Sequence, residues 1–139
     1  MKRILVGLDG SPRQEAVLKM AREIAEKQNA QLILFRAVTL AVEYPAAILA
    51  ISPDAVGELL RANAAEQLKA AAKGLAPTLL AGIRVELGAP WRAICDIARE
   101  ENADLIVIGS HGYGAVDRLL GTTAAKVVNH ADRAVLVVR

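Results

Sequence analysis

The 139 residues supply chain for one ordinary domain, residues 1–139, and too little for two independent cores. An apolar share of 54% excludes intrinsic disorder, because that much apolar surface sustains a packed core. Seventeen Lys and Arg oppose fifteen Asp and Glu, interspersed to a net charge of +2, which argues against bulk nucleic-acid binding. The four aromatic residues, Phe35, Tyr44, Trp91 and Tyr113, are too scattered to form a stacking platform for single strands.

In chain order, short β-branched runs alternate with longer stretches of helical period, the pattern of β-α-β units and a mostly parallel sheet with helices on both faces. Residues 3–8 form the first expected strand, and nothing in this N-terminal run is long enough for a signal-peptide core. The first helix is expected to start with Ser11 as N-cap, Pro12 at the first helical position and Gln14 completing a capping box. Val17, Met20, Ala21 and Ile24 make its core stripe.

A second strand is expected over residues 31–38. Residues 39–52 read as an unusually apolar loop, long enough for a flap or a packing surface. A second helix spans about residues 53–73. Residues 82–87 alternate strictly between apolar and polar, which predicts an edge strand, whereas the other strands are nearly continuous apolar runs covered on both faces. The third helix begins at Pro90 and turns Ile94, Ile97 and Ala98 inward. Cys95, the one cysteine, reads as a small core residue; its solitude rules out an intramolecular disulfide and fits a reducing, cytoplasmic setting. Residues 104–109 make the fourth strand, a short helix starts near Thr122, and residues 134–138 close the sheet as the fifth strand. No run approaches the roughly eighteen apolar residues that span a bilayer, so a soluble protein without a membrane partner is expected.

Ligands of an open parallel sheet bind outside the carboxyl ends of its strands, where successive connections leave toward opposite faces. The loops there are Gly7-Leu8-Asp9-Gly10-Ser11 and Gly109-Ser110-His111-Gly112-Tyr113-Gly114, the latter followed by Gly121-Thr122-Thr123 at a helix start. Glycines let backbone amides approach an anion, and a helix N-terminus favours phosphate, so the two loops read as a phosphate cradle. The plainer reading is that these glycines serve turns of positive φ. A Walker A sequence is absent, and Asp117 breaks any Gly-x-Gly-x-x-Gly continuation from Gly112, which disfavours P-loop NTPases and standard dinucleotide dehydrogenases.

Together, the residues from Ile4 to Ser11, Gly88-Ala89-Pro90, the run from Ala103 to Gly112, Leu119-Leu120-Gly121-Thr122-Thr123-Ala124 and Arg133 to Val138 resemble the universal stress protein family, in its UspA-like, ATP-binding type. The resemblance covers the whole chain. It implies a five-stranded α/β sheet of order 3-2-1-4-5, Rossmann-like, a homodimer, and in many members ATP bound through a Gly-x2-Gly-x9-Gly-[Ser/Thr] motif. Carried onto this chain, it assigns phosphate contacts to Gly109, Gly112, Gly121 and Thr122, with Ser110, His111 and Thr123 beside them. It assigns a nucleoside contact to Asp9, with Gly7 of the same loop beside the nucleotide, and an adenine contact to Ala37 or Val38. One departure stands out: eight residues, 113–120, separate Gly112 from Gly121 where the motif has nine.

Each assignment has a plainer alternative. Asp9 also suits a turn that receives the Gly10 and Ser11 amides, and His111 and Tyr113 suit solvated loop positions. Phosphoryl transfer needs a metal-binding carboxylate and a group that orients the nucleophile, and the two loops offer only Asp9 and His111. The expectation is therefore an ATP-binding regulator, with Mg2+ accompanying the phosphates, at most slow hydrolysis, and a homodimer formed through the C-terminal strand. The alternative is a dimeric interaction module of the same fold that binds no nucleotide. An adenylyl-transferring enzyme is disfavoured, since neither His-x-Gly-His nor Ser-Gly-Gly-x-Asp-Ser follows the first strand.

Overall fold

The computed structural model describes residues 1–39, 53–110 and 120–139. Strands and helices alternate: β1 (Arg3–Gly7), α1 (Gln14–Gln28), β2 (Gln31–Val38), α2 (Pro53–Ala72), β3 (Leu80–Leu87), α3 (Pro90–Glu100), β4 (Leu105–Gly109), α4 (Thr122–His130) and β5 (Ala134–Val138). All strand pairs are parallel, and the sheet order is β3-β2-β1-β4-β5, the order that the family resemblance implies. The expected flap at residues 39–52 falls almost wholly outside the described residues, from position 40 onward.

The period of two in a strand sends successive side chains to opposite faces, so an unbroken apolar run feeds two cores. On one face, Ile4, Val6 and Leu8 pack with Val17, Ala21 and Ala25 of α1 and Leu68 of α2. On the other, Leu5, Ile33, Phe35, Ile106 and Ile108 meet Ile94, Ile97 and Ala98 of α3 and Ala124 and Val127 of α4. The sheet is thus covered on both faces, with α1 and α2 on one and α3 and α4 on the other. Among the described residues no helix is long and apolar enough to cross a membrane.

The alternating strand, β3, stands at the edge as its pattern predicts. Ile83 and Val85 join the core beneath α1 and α2, while Arg84 turns to the opposite face and pairs with Glu86, Glu100 and Glu101 at 2.7–3.1 Å. Those carboxylates hold the Arg84 pKa above the usual guanidinium value. At the amino end of the sheet the Asp104 carboxylate accepts the amides of Lys2 (2.7 Å) and Arg3 (3.0 Å), which ties β1 to the start of β4. Cys95 is buried, and burial pushes its thiol pKa up, as befits a core residue.

Two expectations for α1 are corrected. The helix begins at Gln14 with Arg13 as its N-cap residue, because Ser11 and Pro12 belong to a preceding turn closed by the Gln14 amide donating to the Ser11 carbonyl at 3.1 Å. Met20 is 40% exposed, and Ala25 takes the place in the buried stripe that the sequence assigned to it. Small Ala21 and Ala25 let the helix lie close to the sheet, and Ile24 packs from the side as a half-buried neighbour.

Candidate functional site

The connections from β1 and β4 leave these adjacent strands toward opposite faces, which opens a crevice at their carboxyl ends. A cavity of about 330 Å3 lies there, at the lower end of the range typical of small-molecule sites. Of the residues the sequence singles out, it brings together Gly7, Asp9, Ala37, Gly109, Ser110, Gly121, Thr122 and Thr123. His111 and Gly112 lie outside the described residues. Val38 is not among the lining residues: it follows Ala37 by one position and so faces the other way, and its carbonyl accepts the Gly88 amide at 3.0 Å.

The floor is apolar and close-packed. Phe35, Ile94 and Ile108, all buried, form it together with the backbone of Gly7. A Cβ at Gly7 would stand 3.0 Å from Ile108 Cγ2 and 3.6 Å from Ile94 Cδ1, so the absence of a side chain there lets β1 lie flush against β4 and α3.

The loop after β1 is fixed by its own side chains. Asp9 Oδ1 accepts the Ser11 amide at 2.9 Å, an Asx turn, and Ser11 Oγ accepts the Arg13 amide at 3.3 Å. With the Ser11 amide so engaged, Gln14 Oε1 reaches one residue further and accepts the Gly10 amide at 3.0 Å. Gly10 sits at φ +79°, where only glycine is unstrained. Asp9 therefore serves the turn and lines the cavity at once; Oδ2 takes no hydrogen bond among the described residues.

On the other side stands the start of α4. Gly121 is extended at the N-cap, no side chain caps the helix, and its first turn carries no acidic residue. The first-turn amides of Thr122, Thr123 and Ala124 are thus without intrahelical partners at a positive dipole end, an arrangement suited to an anion. The Gly121 amide donates to the Ser110 carbonyl at 2.7 Å, and the Ser110 amide to the Val138 carbonyl at 2.8 Å, which fixes α4 to the ends of β4 and β5.

Sequence reasoning passed over Arg13, Gln14, Arg36 and Pro90, which also line the cavity. For Arg36 a signal existed: it is the single charge within the apolar run of residues 32–38. Among the described residues no group of three or more His, Cys, Asp or Glu side chains is placed to hold a metal ion.

Comparison with known proteins agrees with this architecture. The model of the universal stress protein family matches residues 1–139. A universal stress protein of Thermus aquaticus is 33% identical over 141 residues, which covers 99% of this chain and 98% of that protein. Among solved structures, the universal stress protein UspA from Lactobacillus plantarum is similar with a TM-score of 0.78 at 29% identity, covering 99% of this chain and 97% of that one. A universal stress protein solved in complex with cAMP gives a TM-score of 0.62 at 28% identity, covering 99% and 96%. With the whole length matched by sequence and by fold, this chain belongs to the universal stress protein family.

Proposed function

We propose that this protein binds an adenosine nucleotide, ATP with Mg2+, across the carboxyl ends of β1, β2 and β4, and works in the cytoplasm as a nucleotide-responsive dimeric regulator in a stress response. The observation that carries the reading is the cavity shared by Asp9, Ala37 and the uncapped start of α4. An apolar wall at Phe35, Ala37 and Ile108 suits a base, a carboxylate suits ribose hydroxyls, and free helix-start amides suit phosphates. The relative solved with cAMP supports a nucleotide as the class of ligand.

The proposed role is binding rather than turnover. Among the described residues the cavity offers Asp9 as its one carboxylate and no His, Lys, Cys or Tyr, and Oδ1 of that carboxylate is already engaged by Ser11. A nucleotide held this way biases conformation and assembly instead of being consumed. Dimerisation is assigned to β5, an edge strand of Val and Leu without proline or charge before Arg139.

One feature favours the alternative, an interaction module without nucleotide: the segment between Gly112 and Gly121 is one residue shorter than the motif the resemblance supplies. Two measurements separate the readings. Freshly purified protein is denatured and any released nucleotide identified by chromatography, and thermal unfolding is followed with and without millimolar ATP. Released nucleotide, or a midpoint that rises with ATP, supports the nucleotide reading. Neither result would leave the interaction module in its place.

A further inference from the structure

Beside β2, which lies across β1 from β4, the cavity carries the positive side chain of Arg36. Arg36 leaves β2 on the face opposite Ala37 and reaches across to the loop after β1. Its guanidinium lies against Gly10, the neighbour of Asp9: a Cβ built on Gly10 would fall 2.8 Å from Nη2 and 3.0 Å from Nη1 and Cζ. Gln67 Oε1 on α2 accepts a hydrogen bond from Nη1 and holds the group in place. That partner is a neutral amide, and no carboxylate pairs with Arg36 among the described residues. Arg13, at the N-cap of α1, lines the same cavity.

The cavity therefore has an order of charges. The dipole end of α4, which follows β4, attracts an anion, Asp9 on the loop after β1 presents its Oδ2 as an acceptor, and Arg36 on β2 presents a cation. A ligand that matches this order has hydroxyl donors at its centre and negative charge at both ends. A simple 5′-nucleotide satisfies the helix start and Asp9, and leaves the guanidinium unmatched. We infer that Arg36 gives the cavity a preference for nucleotides whose ribose carries a second phosphate, at the 2′ or 3′ position, over the same nucleotide without it. One ribose hydroxyl then remains for Asp9 while the planar guanidinium takes the added phosphate, a pairing to which arginine geometry is suited. The inference rests on the nucleotide reading of the cavity.

The test compares AMP, adenosine 2′,5′-bisphosphate and adenosine 3′,5′-bisphosphate by isothermal titration calorimetry, on the wild type and on Arg36→Gln. Circular dichroism checks that the variant is folded. The expected result is that one bisphosphate binds the wild type about tenfold or more tighter than AMP, and that the ratio falls to about one in Arg36→Gln. Equal affinity of all three for the wild type overturns the inference and leaves the nucleotide reading intact. A preference that survives in Arg36→Gln overturns the role of Arg36. Failure of every nucleotide to bind removes the nucleotide reading and this inference with it.

Discussion

The Gly121 amide donates to the Ser110 carbonyl at 2.7 Å, so the two ends of the segment 111–120 are joined directly beside the cavity. This bond fixes where α4 begins relative to β4, whatever number of residues runs between them. Thr122 and Thr123 accordingly line the cavity with Gly109 and Ser110 even though the interval from Gly112 to Gly121 is a residue short.

Thr122 is exposed on the first turn of α4, so removing its hydroxyl disturbs no core contact. Thr122→Ala is expected to delete a hydrogen bond to a charged phosphate, about 1.5–3 kcal/mol, and to weaken ATP binding by about ten- to hundredfold. Calorimetric titration of wild type and variant with ATP measures the difference, and unchanged affinity would place the phosphates elsewhere.

Gly10 and Gly88 both adopt positive φ, +79° and +131°, and differ in their surroundings. A Cβ at Gly88 meets nothing within 4 Å, whereas one at Gly10 meets the Arg36 guanidinium. Alanine at either site is expected to cost about 1–2 kcal/mol of stability through backbone strain. Only Gly10→Ala should also alter ligand affinity, because it displaces Arg36 and the turn that carries Asp9. Urea denaturation of both variants beside ligand titration checks the contrast; an equal loss of affinity in Gly88→Ala would contradict it.

Two backbone amides accepted by Asp104 hold its pKa below the ordinary carboxylate value. A carboxylate depressed in the folded state stabilises the fold above its unfolded pKa, about 3.9, and loses that contribution as the pH falls through the lower folded value. Asp104→Asn is therefore expected to lower the urea midpoint at neutral pH, with a difference from wild type that shrinks as the pH is taken below about 4. A difference that stays constant across this range would assign the effect to something other than the charge.

Assembly through β5 predicts a dimer at tens of micromolar by light scattering. Val137→Pro is expected to yield monomer or aggregate, since proline removes a donor and forbids ladder geometry at that position. A monomeric wild type would require another element to cover the edge formed by Val135 to Val138.

Much of the fold is legible in the sequence because each strand advertises its burial. Ile4 to Val6 and Leu105 to Ile108 are unbroken apolar runs, as two covered faces demand, and the alternation around Arg84 marks the edge. The start of α1 was less legible. Ser11, Pro12 and Gln14 satisfy a capping pattern locally, but Asp9 claims the Ser11 amide first and shifts the Gln14 contact to Gly10. In the candidate site, glycines and an Asp after strand ends could be found from spacing alone. Arg36 is marked in the sequence as the lone charge of an apolar run, but its place in the cavity depends on Gly10 and Gln67, which meet it only once β1, β2 and α2 are packed.

The proposed nucleotide site is one cavity at the ends of β1, β2 and β4. Isothermal titration calorimetry of the wild-type protein with ATP and Mg2+ tests it most directly. The expected result is saturable binding in which about one nucleotide is taken up per chain, weakened by Thr122→Ala. Absence of binding at millimolar ATP would contradict it.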